Sequence, residues 1–361
     1  MSVIRVVMAD DSQLAREVLR EILTRDGDIE IVGEATNGQE AVEMAKRLAP
    51  QLITMDLTMP VMDGLSAIEE IMYTKGVPIV VISDRSDAQT AYQALEVGAL
   101  EVLPKPGLDD DDAERLLARV RLLSGVSVIT RLRRRTSAAP TPAPVRLPVA
   151  TPCPNTSRGF QHVVGIACST GGPQALARLL SKLPKGFPAP ILIAQHISPG
   201  FIDGMATWLS SLCALPVSVA HSGERILPGH IYLSPPESQV GVTAQHRLLL
   251  TPSPSDALYH PSCDALLHSV ASIYGTDSIG VILTGMGRDG VSGLRAIQLA
   301  GGTTLAQDEA SSVIYGMNQE AVNAGVVQQV MGLDELPARL LREVRFTPSP
   351  GGSRNELADT V

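Results

Sequence analysis

Three short stretches carry residues able to do nucleophilic chemistry: ACSTGGPQAL, with Ser169 and Thr170 on a glycine corner; AQHISPGF, with His196; and ILTGMGRDG, with Asp289. A serine hydroxyl attacks a carbonyl carbon well only when a histidine takes its proton, and the histidine needs a carboxylate to hold its tautomer. Each candidate stands just past an apolar run: Ser169 after VVGIA, His196 after ILIAQ, Asp289 in the loop after SIGVILT. As neighbouring strands of one open parallel sheet, these runs put all three side chains on the rim where such sheets bind ligands. Gly171 and Gly172 let the chain turn without a Cβ in the way, and Pro173 suits a first helical turn. Free N–H groups at that helix start would serve an oxyanion. Cys168 is a rival nucleophile, but strand alternation turns it to the opposite face from Ser169. Thr170 orients substrate or shapes the turn. Asp203, Asp264, Asp308 and Glu309 compete with Asp289, with helix capping as the other account of Asp308 and Asp264. A phosphate-binding turn remains a second reading of the corner.

A second cluster lies near the amino terminus. Asp10, Asp11, Asp56, Ser83 and Lys105 all follow strand-like runs (IRVVMAD, LITMD, PIVVIS, EVLPKP). Carboxylates brought that close repel unless a cation joins them, and Mg²⁺, which takes oxygen ligands, is the natural one. A nearby lysine then completes a site for a phosphoryl group. The plainer reading of each aspartate alone is a helix cap.

These residues need rigid strand ends, and the sequence supplies them. In residues 1–123 five strand-like runs alternate with amphipathic segments, near 12–25, 39–48, 64–72, 88–97 and from about 110. That alternation predicts a doubly wound, five-stranded parallel α/β domain. Residues 124–159 lose the periodicity and become rich in proline and arginine, including Arg131, Arg133, Arg134 and Arg135, as a linker does. Over 160–346 the alternation returns, predicting a second, mostly parallel α/β domain of hydrolase type with antiparallel hairpin pieces set into its sheet near 217–243. The tail 347–361 reads as disordered.

Composition narrows the classes. A chain of 361 residues with 44% hydrophobic content supports two cores. No apolar run nears the ~20 residues that span a bilayer, and the start MSVIRVVMADDS lacks a secretory layout, so a cytoplasmic protein without membrane insertion is expected. Net charge of −9 argues against a nucleic-acid partner. Cys153, Cys168, Cys213 and Cys263 form no C-x-x-C pair and read as reduced, mostly buried thiols. His162, His221, His230, His246, His260 and His268 share no metal spacing and read as surface or packing residues.

MADDS, MDLTMPVMDGL, VIS and PKP resemble the signature set of the response-regulator receiver domain. The resemblance implies phosphorylation of Asp56, Mg²⁺ held by Asp11, Asp56 and the Thr58 carbonyl with Asp10 assisting, and a switch through Ser83 and Lys105. Val102 departs from the pattern, because many receivers carry an aromatic switch residue there. ACSTGGPQAL, AQHISPGF, HPSCDALLHSVASIYG, ILTGMGRDG and QDEASSVIYGMNQEA resemble the catalytic domain of the chemotaxis protein-glutamate methylesterases. That implies a Ser169–His196–Asp289 triad, a Met286 N–H for the oxyanion, and no cofactor in the catalytic domain. It further implies hydrolysis of glutamate methyl esters on chemoreceptor helices, deamidation of receptor glutamines and a histidine-kinase phosphodonor. Asn318 and Leu267 depart from frequent residues of that family and bear on substrate fit. The alternative reading is a non-catalytic, receiver-controlled adaptor.

Overall fold

The first three helices begin where a short polar side chain can accept an otherwise orphaned N–H. Ser12 accepts from Ala15 N at 3.3 Å, Asn37 from Glu40 N at 3.0 Å and Asp63 from Ser66 N at 2.7 Å. Glu40 reaches back to Thr36 N at 2.7 Å, which reinforces the second start. These caps separate β1 (Ile4–Ala9), α1 (Gln13–Thr24), β2 (Ile29–Ala35), α2 (Gly38–Leu48), β3 (Leu52–Met55) and α3 (Gly64–Thr74). β4 (Ile79–Ser83), α4 (Ala88–Val97), β5 (Glu101–Pro104) and α5 (Asp110–Leu123) complete the domain. The computed structural model describes residues 3–84, 88–107, 110–126, 159–254 and 259–345. Most of the expected linker, with its arginine cluster, and the whole expected tail lie outside the described residues.

The first sheet is parallel with order β2-β1-β3-β4-β5. Its winding reverses between β1 and β3, so the loops after these two strands open a crevice at their carboxyl ends. Asp10 and Asp11 follow β1 and Asp56 follows β3.

The second domain contains β6 (Val163–Cys168), α6 (Gly172–Leu180), β7 (Ile191–Gln195), α7 (Ile202–Leu212), β8 (Val217–Val219), β9 (Ile231–Leu233), β10 (Ser238–Val242) and β11 (Leu248–Pro252). It continues with α8 (Cys263–Tyr274), β12 (Ser278–Ile282), α9 (Val291–Leu299), β13 (Thr303–Gln307), α10 (Met317–Asn323), β14 (Gln329–Met331) and α11 (Leu336–Glu343). Seven of these strands form one sheet, order β14-β13-β12-β6-β7-β9-β8, with every pairing parallel. β6, β7 and β12 are buried along their whole length, as strands covered on both faces must be. Winding reverses between β6 and β12, which places a second crevice beside Ser169.

One expectation is corrected here. Antiparallel hairpin pieces are not set into the main sheet, because β10 and β11 form a separate two-stranded sheet. β8 and β9 do join the main sheet but run parallel, since the loop of residues 220–230 is long enough to carry the chain back before β9 begins.

Candidate active site

The corner after β6 is built by its two glycines for different reasons. Gly171 adopts φ +75°, the left-handed region that a side chain disfavours. At Gly172 any Cβ would fall on the amide oxygen of Gln195. That buried glutamine is a brace, donating from Nε2 to Ser169 O at 3.0 Å and to His196 O at 2.8 Å, and so it fixes the spacing between the two residues' backbones. His196 N donates to Cys168 O at 3.0 Å, and Ser169 N to Thr284 O at 3.0 Å. Four backbone or amide contacts thus lock the loops after β6, β7 and β12 together.

Asp289 lies in the loop after β12, and its carboxylate is caught at the amino terminus of α8. It accepts from Cys263 N at 2.7 Å, Asp264 N at 2.8 Å and the Ser262 hydroxyl at 3.3 Å. His196 Nε2 bonds to its Oδ2 at 2.8 Å. Burial alone would raise the Asp289 carboxyl, but the His196 hydrogen bond and charge together with the helix N–H groups hold it below the usual carboxylate range. Asp289 therefore stays ionised and selects the tautomer of His196. With Nε2 engaged, Nδ1 is the nitrogen left to take a proton. Among the described residues His196 is hydrogen-bonded to Asp289, and no hydrogen bond joins it to the Ser169 hydroxyl.

Other expectations at this rim are corrected. The N–H of Gly172 is not free, since the tight turn folds it onto Ser169 O at 2.7 Å. Among the described residues the N–H groups of Thr170, Gly171 and Met286 meet no protein acceptor. Asp264 does not cap its own helix; Ser262 does, by accepting from Ala265 N at 3.2 Å. Asp264 instead accepts from Gly290 N at 2.9 Å and Gly293 N at 2.7 Å, capping α9 from a neighbouring helix and fixing the loop that carries Asp289. Asp308 caps a turn, not a helix, accepting from Ser311 N at 3.0 Å. Asn318 and Leu267 bear on packing, because both are fully buried. Asn318 donates to Gln307 O at 2.6 Å, while Leu267 fills the space left by Gly165 and Gly293. Cys168 is buried as expected, and burial raises its thiol far from reactivity. Cys263 is buried too, with Sγ 3.5 Å from His196 Nε2.

The acidic pocket assembles as the spacing predicts. Asp10, Asp11 and Asp56 bring carboxylate oxygens within 4.8 Å of one another. Lys105 Nζ lies 3.1 Å from Asp10 Oδ2 and 3.1 Å from Asp56 Oδ1. Thr58 N donates to Asp56 at 3.1 Å, and Ser83 is buried beside Asp84. Burial raises the Asp56 carboxyl in spite of Lys105. Burial works against the charge on Lys105 as well, but its hydrogen bonds and attraction to Asp10 and Asp56 raise it overall. Three carboxylates against one ammonium leave an all-oxygen donor set short of positive charge, which fits a hard divalent cation.

The two domains meet over the Ser169 rim. The Arg119 guanidinium of α5 donates to the Thr170 hydroxyl and lies 3.7 Å from Glu101. Burial raises the Glu101 carboxyl, whose Oε2 has no hydrogen-bond partner. Gln174 of α6 donates to Ala99 O and, at 3.4 Å, to Leu95 O. Tyr92 of α4 stacks on Trp208 of α7 with centroids 5.6 Å apart, and Trp208 Nε1 donates to Glu96 at 2.5 Å. A cavity of about 730 Å³ remains between the domains, lined by Ser169, His196 and Met286 on one side and Leu100, Val102 and Arg119 on the other.

Family models match both halves: the response regulator receiver domain over residues 6–121 and CheB methylesterase over residues 164–340. A protein of Paramagnetospirillum magneticum named protein-glutamate methylesterase/protein-glutamine glutaminase 3 is 49% identical over 341 residues, covering 94% of this chain and 95% of the relative. The chain belongs to this methylesterase family. A similarly named protein of Myxococcus xanthus is 46% identical over 349 residues, covering 95% of this chain and 97% of its own length. The crystal structure of the Thermotoga maritima CheB methylesterase catalytic domain is 36% identical, covers 50% of this chain and 97% of that one, and has a TM-score of 0.49.

The structure adds residues around this rim that the sequence reading did not single out: Gln195, Arg119 and Glu101. Only Gln195 left a signal, as a polar side chain closing the otherwise apolar strand ILIAQ. The others depend on which elements face each other in space.

Proposed function

We propose that the chain hydrolyses glutamate methyl esters on chemoreceptor helices, releasing methanol, and deamidates glutamines through the same acyl-enzyme. The observation that carries this reading is Asp289 holding His196 beside the braced Ser169 corner. Ser169 is the nucleophile; His196 takes its proton on Nδ1 and delivers it to the departing methoxide, released as methanol, or to the amide nitrogen, released as ammonia. Water, deprotonated by the same nitrogen, then cleaves the acyl-enzyme to the glutamate carboxyl and restores the Ser169 hydroxyl. The N–H groups of Thr170 and Met286 are the donors for the tetrahedral oxyanion. A non-catalytic adaptor would have no use for a carboxylate placed to ionise next to a histidine.

Access is governed by the receiver. One turn of helix with its side chains occupies roughly 400 Å³, so the cavity of about 730 Å³ admits a small ester but not a receptor helix several turns long. The closed arrangement is the inactive one. In the receiver, Asp56 is the residue that takes a phosphoryl group from a histidine kinase; Asp11, Asp56 and the Thr58 carbonyl would hold Mg²⁺, with Asp10 assisting. When bound, the cation neutralises the clustered carboxylates and the charge that develops during phosphoryl transfer. Ser83 and Lys105 turn to the new phosphate. Lys105 directly follows β5, whose first residue is Glu101. A shift of Lys105 therefore passes along four residues to the Glu101–Arg119 pair and loosens its hold on Thr170. Val102, in the middle of that strand, needs no aromatic ring for this route. We assign residues 1–123 to the receiver, 124–159 to the linker and 160–346 to the catalytic domain.

The test is mass spectrometry of candidate receptors co-expressed with the chain. Receptor glutamates should lose their methyl groups with the wild type and keep them with Ser169→Ala. Demethylation that survives Ser169→Ala would defeat the proposal.

A further inference from the structure

Tyr259 has no part in the relay as described, yet its ring lies face-on over the imidazole of His196, with centroids 4.9 Å apart and planes 15° from parallel. The ring is gripped from its other end as well. Gly287 has φ +103°, and a Cβ built there would come within 2.6 Å of the Tyr259 hydroxyl oxygen and 3.3 Å of its ring carbons. Tyr259 is thus wedged between the imidazole and the loop that carries Met286. The adjoining backbone is pinned too, because Ile197 N donates to His260 O at 3.0 Å, tying this segment to the residue after His196.

A ring face held this way treats the two protonation states of the imidazole differently. A neutral imidazole gains packing alone, whereas an imidazolium is attracted to the negative face of the ring. We propose that Tyr259 is a positioning residue that carries His196 on its ring face and stabilises the imidazolium formed when Ser169 gives up its proton. The inference rests on the Ser169 hydrolase reading. The other groups facing this imidazole are Asp289 and Cys263 at Nε2, with Ser169 on the adjoining loop. Arg115, Arg119, Glu101 and Asp112 from the receiver, and Glu237 and His260 from the catalytic domain, line the same cavity. Replacing Tyr259 changes none of their charges.

The experiment uses the full chain, activated with a small phosphodonor and Mg²⁺, acting on a glutamate γ-methyl ester peptide. Tyr259→Leu should lower kcat about 5- to 30-fold with KM within about twofold. It should also move the acidic limb of the kcat/KM profile to lower pH, since the imidazolium loses its support. Tyr259→Phe, which keeps the ring face, should recover kcat relative to Leu. Ring-fluorinated phenylalanines at the same position preserve shape while weakening the face, so kcat should fall stepwise with fluorination even if Tyr259→Leu folds poorly. A leucine variant that matches the wild type, a loss of kcat with the limb unmoved, or indifference to fluorination would overturn the inference. Wild-type activity that does not depend on Ser169 would instead defeat the hydrolase reading beneath it.

Discussion

The two crevices stand at equivalent places, each beyond the carboxyl ends of parallel strands where the winding reverses, yet their carboxylates are treated in opposite ways. Asp56 sits among like charges with one lysine, and burial pushes its carboxyl up. Asp289 is equally buried but meets a histidine and the amino terminus of α8, which hold it down. The first crevice is short of positive charge and suited to taking up an ion and a phosphoryl group. The second is already satisfied and needs only its serine and an open door. Topology chooses where a site lies, and the donors supplied to each carboxylate decide whether it waits for a ligand or works without one.

The comparison breaks most visibly at its satisfied end. Asp289→Asn should lower ester hydrolysis about 10⁴-fold by losing the tautomer that Asp289 selects, read as methanol release from methylated receptor. Gly172→Ala should cost on the order of 10²-fold in kcat, because the new methyl group displaces the Gln195 brace and even a small misplacement of the Ser169 corner is expensive. Arg119→Met should raise the activity of the unphosphorylated chain about tenfold, the equivalent of about 1.5 kcal/mol for a charged hydrogen bond across the closed interface. Thermal melts in phosphodonor-free, Mg²⁺-free buffer should find Asp56→Asn more stable by about 1 kcal/mol at neutral pH.

The smallest effects have opposite signs in the two crevices. A raised folded pKa, as at Asp56, gives stability that is present below the unfolded value of about 3.9 and is lost as pH rises through the folded value. The advantage of Asp56→Asn should therefore shrink as pH falls through the folded value and be gone below about pH 4. Asp289 has a lowered folded pKa, so its contribution is present above about pH 3.9 and disappears as pH falls through the folded value. Asp289→Asn should flatten the acid side of the stability curve, measured by denaturant titration across pH.

Much of this was legible in the sequence because both sites lie at strand ends. Apolar runs such as VVGIA and ILIAQ announce strands, so Ser169, His196, Asp56 and Lys105 could be placed on a rim from the residues that follow them. The purpose of Gly171 was also legible, since a turn before a helix needs the left-handed region. Gly172 was not, because its constraint is Gln195 on the next strand. The hydrogen bond from Arg119 to Thr170 joins residues 51 apart in different domains, and no local pattern encodes such a contact. The hairpin was misplaced for the same reason: the pattern near 217–243 suggests antiparallel pieces, but not that β8 and β9 join the main sheet in parallel while β10 pairs with β11 outside it.

The central claim is that Ser169 becomes a nucleophile through His196 once the receiver lets go. Active-site labelling with a fluorophosphonate, located by peptide mapping, tests it most directly. The account predicts a single adduct on Ser169 that forms faster after treatment with phosphodonor and Mg²⁺, fails to accelerate in Asp56→Asn, and is absent in His196→Ala. Equal labelling in all three proteins, or an adduct on another residue, would contradict it.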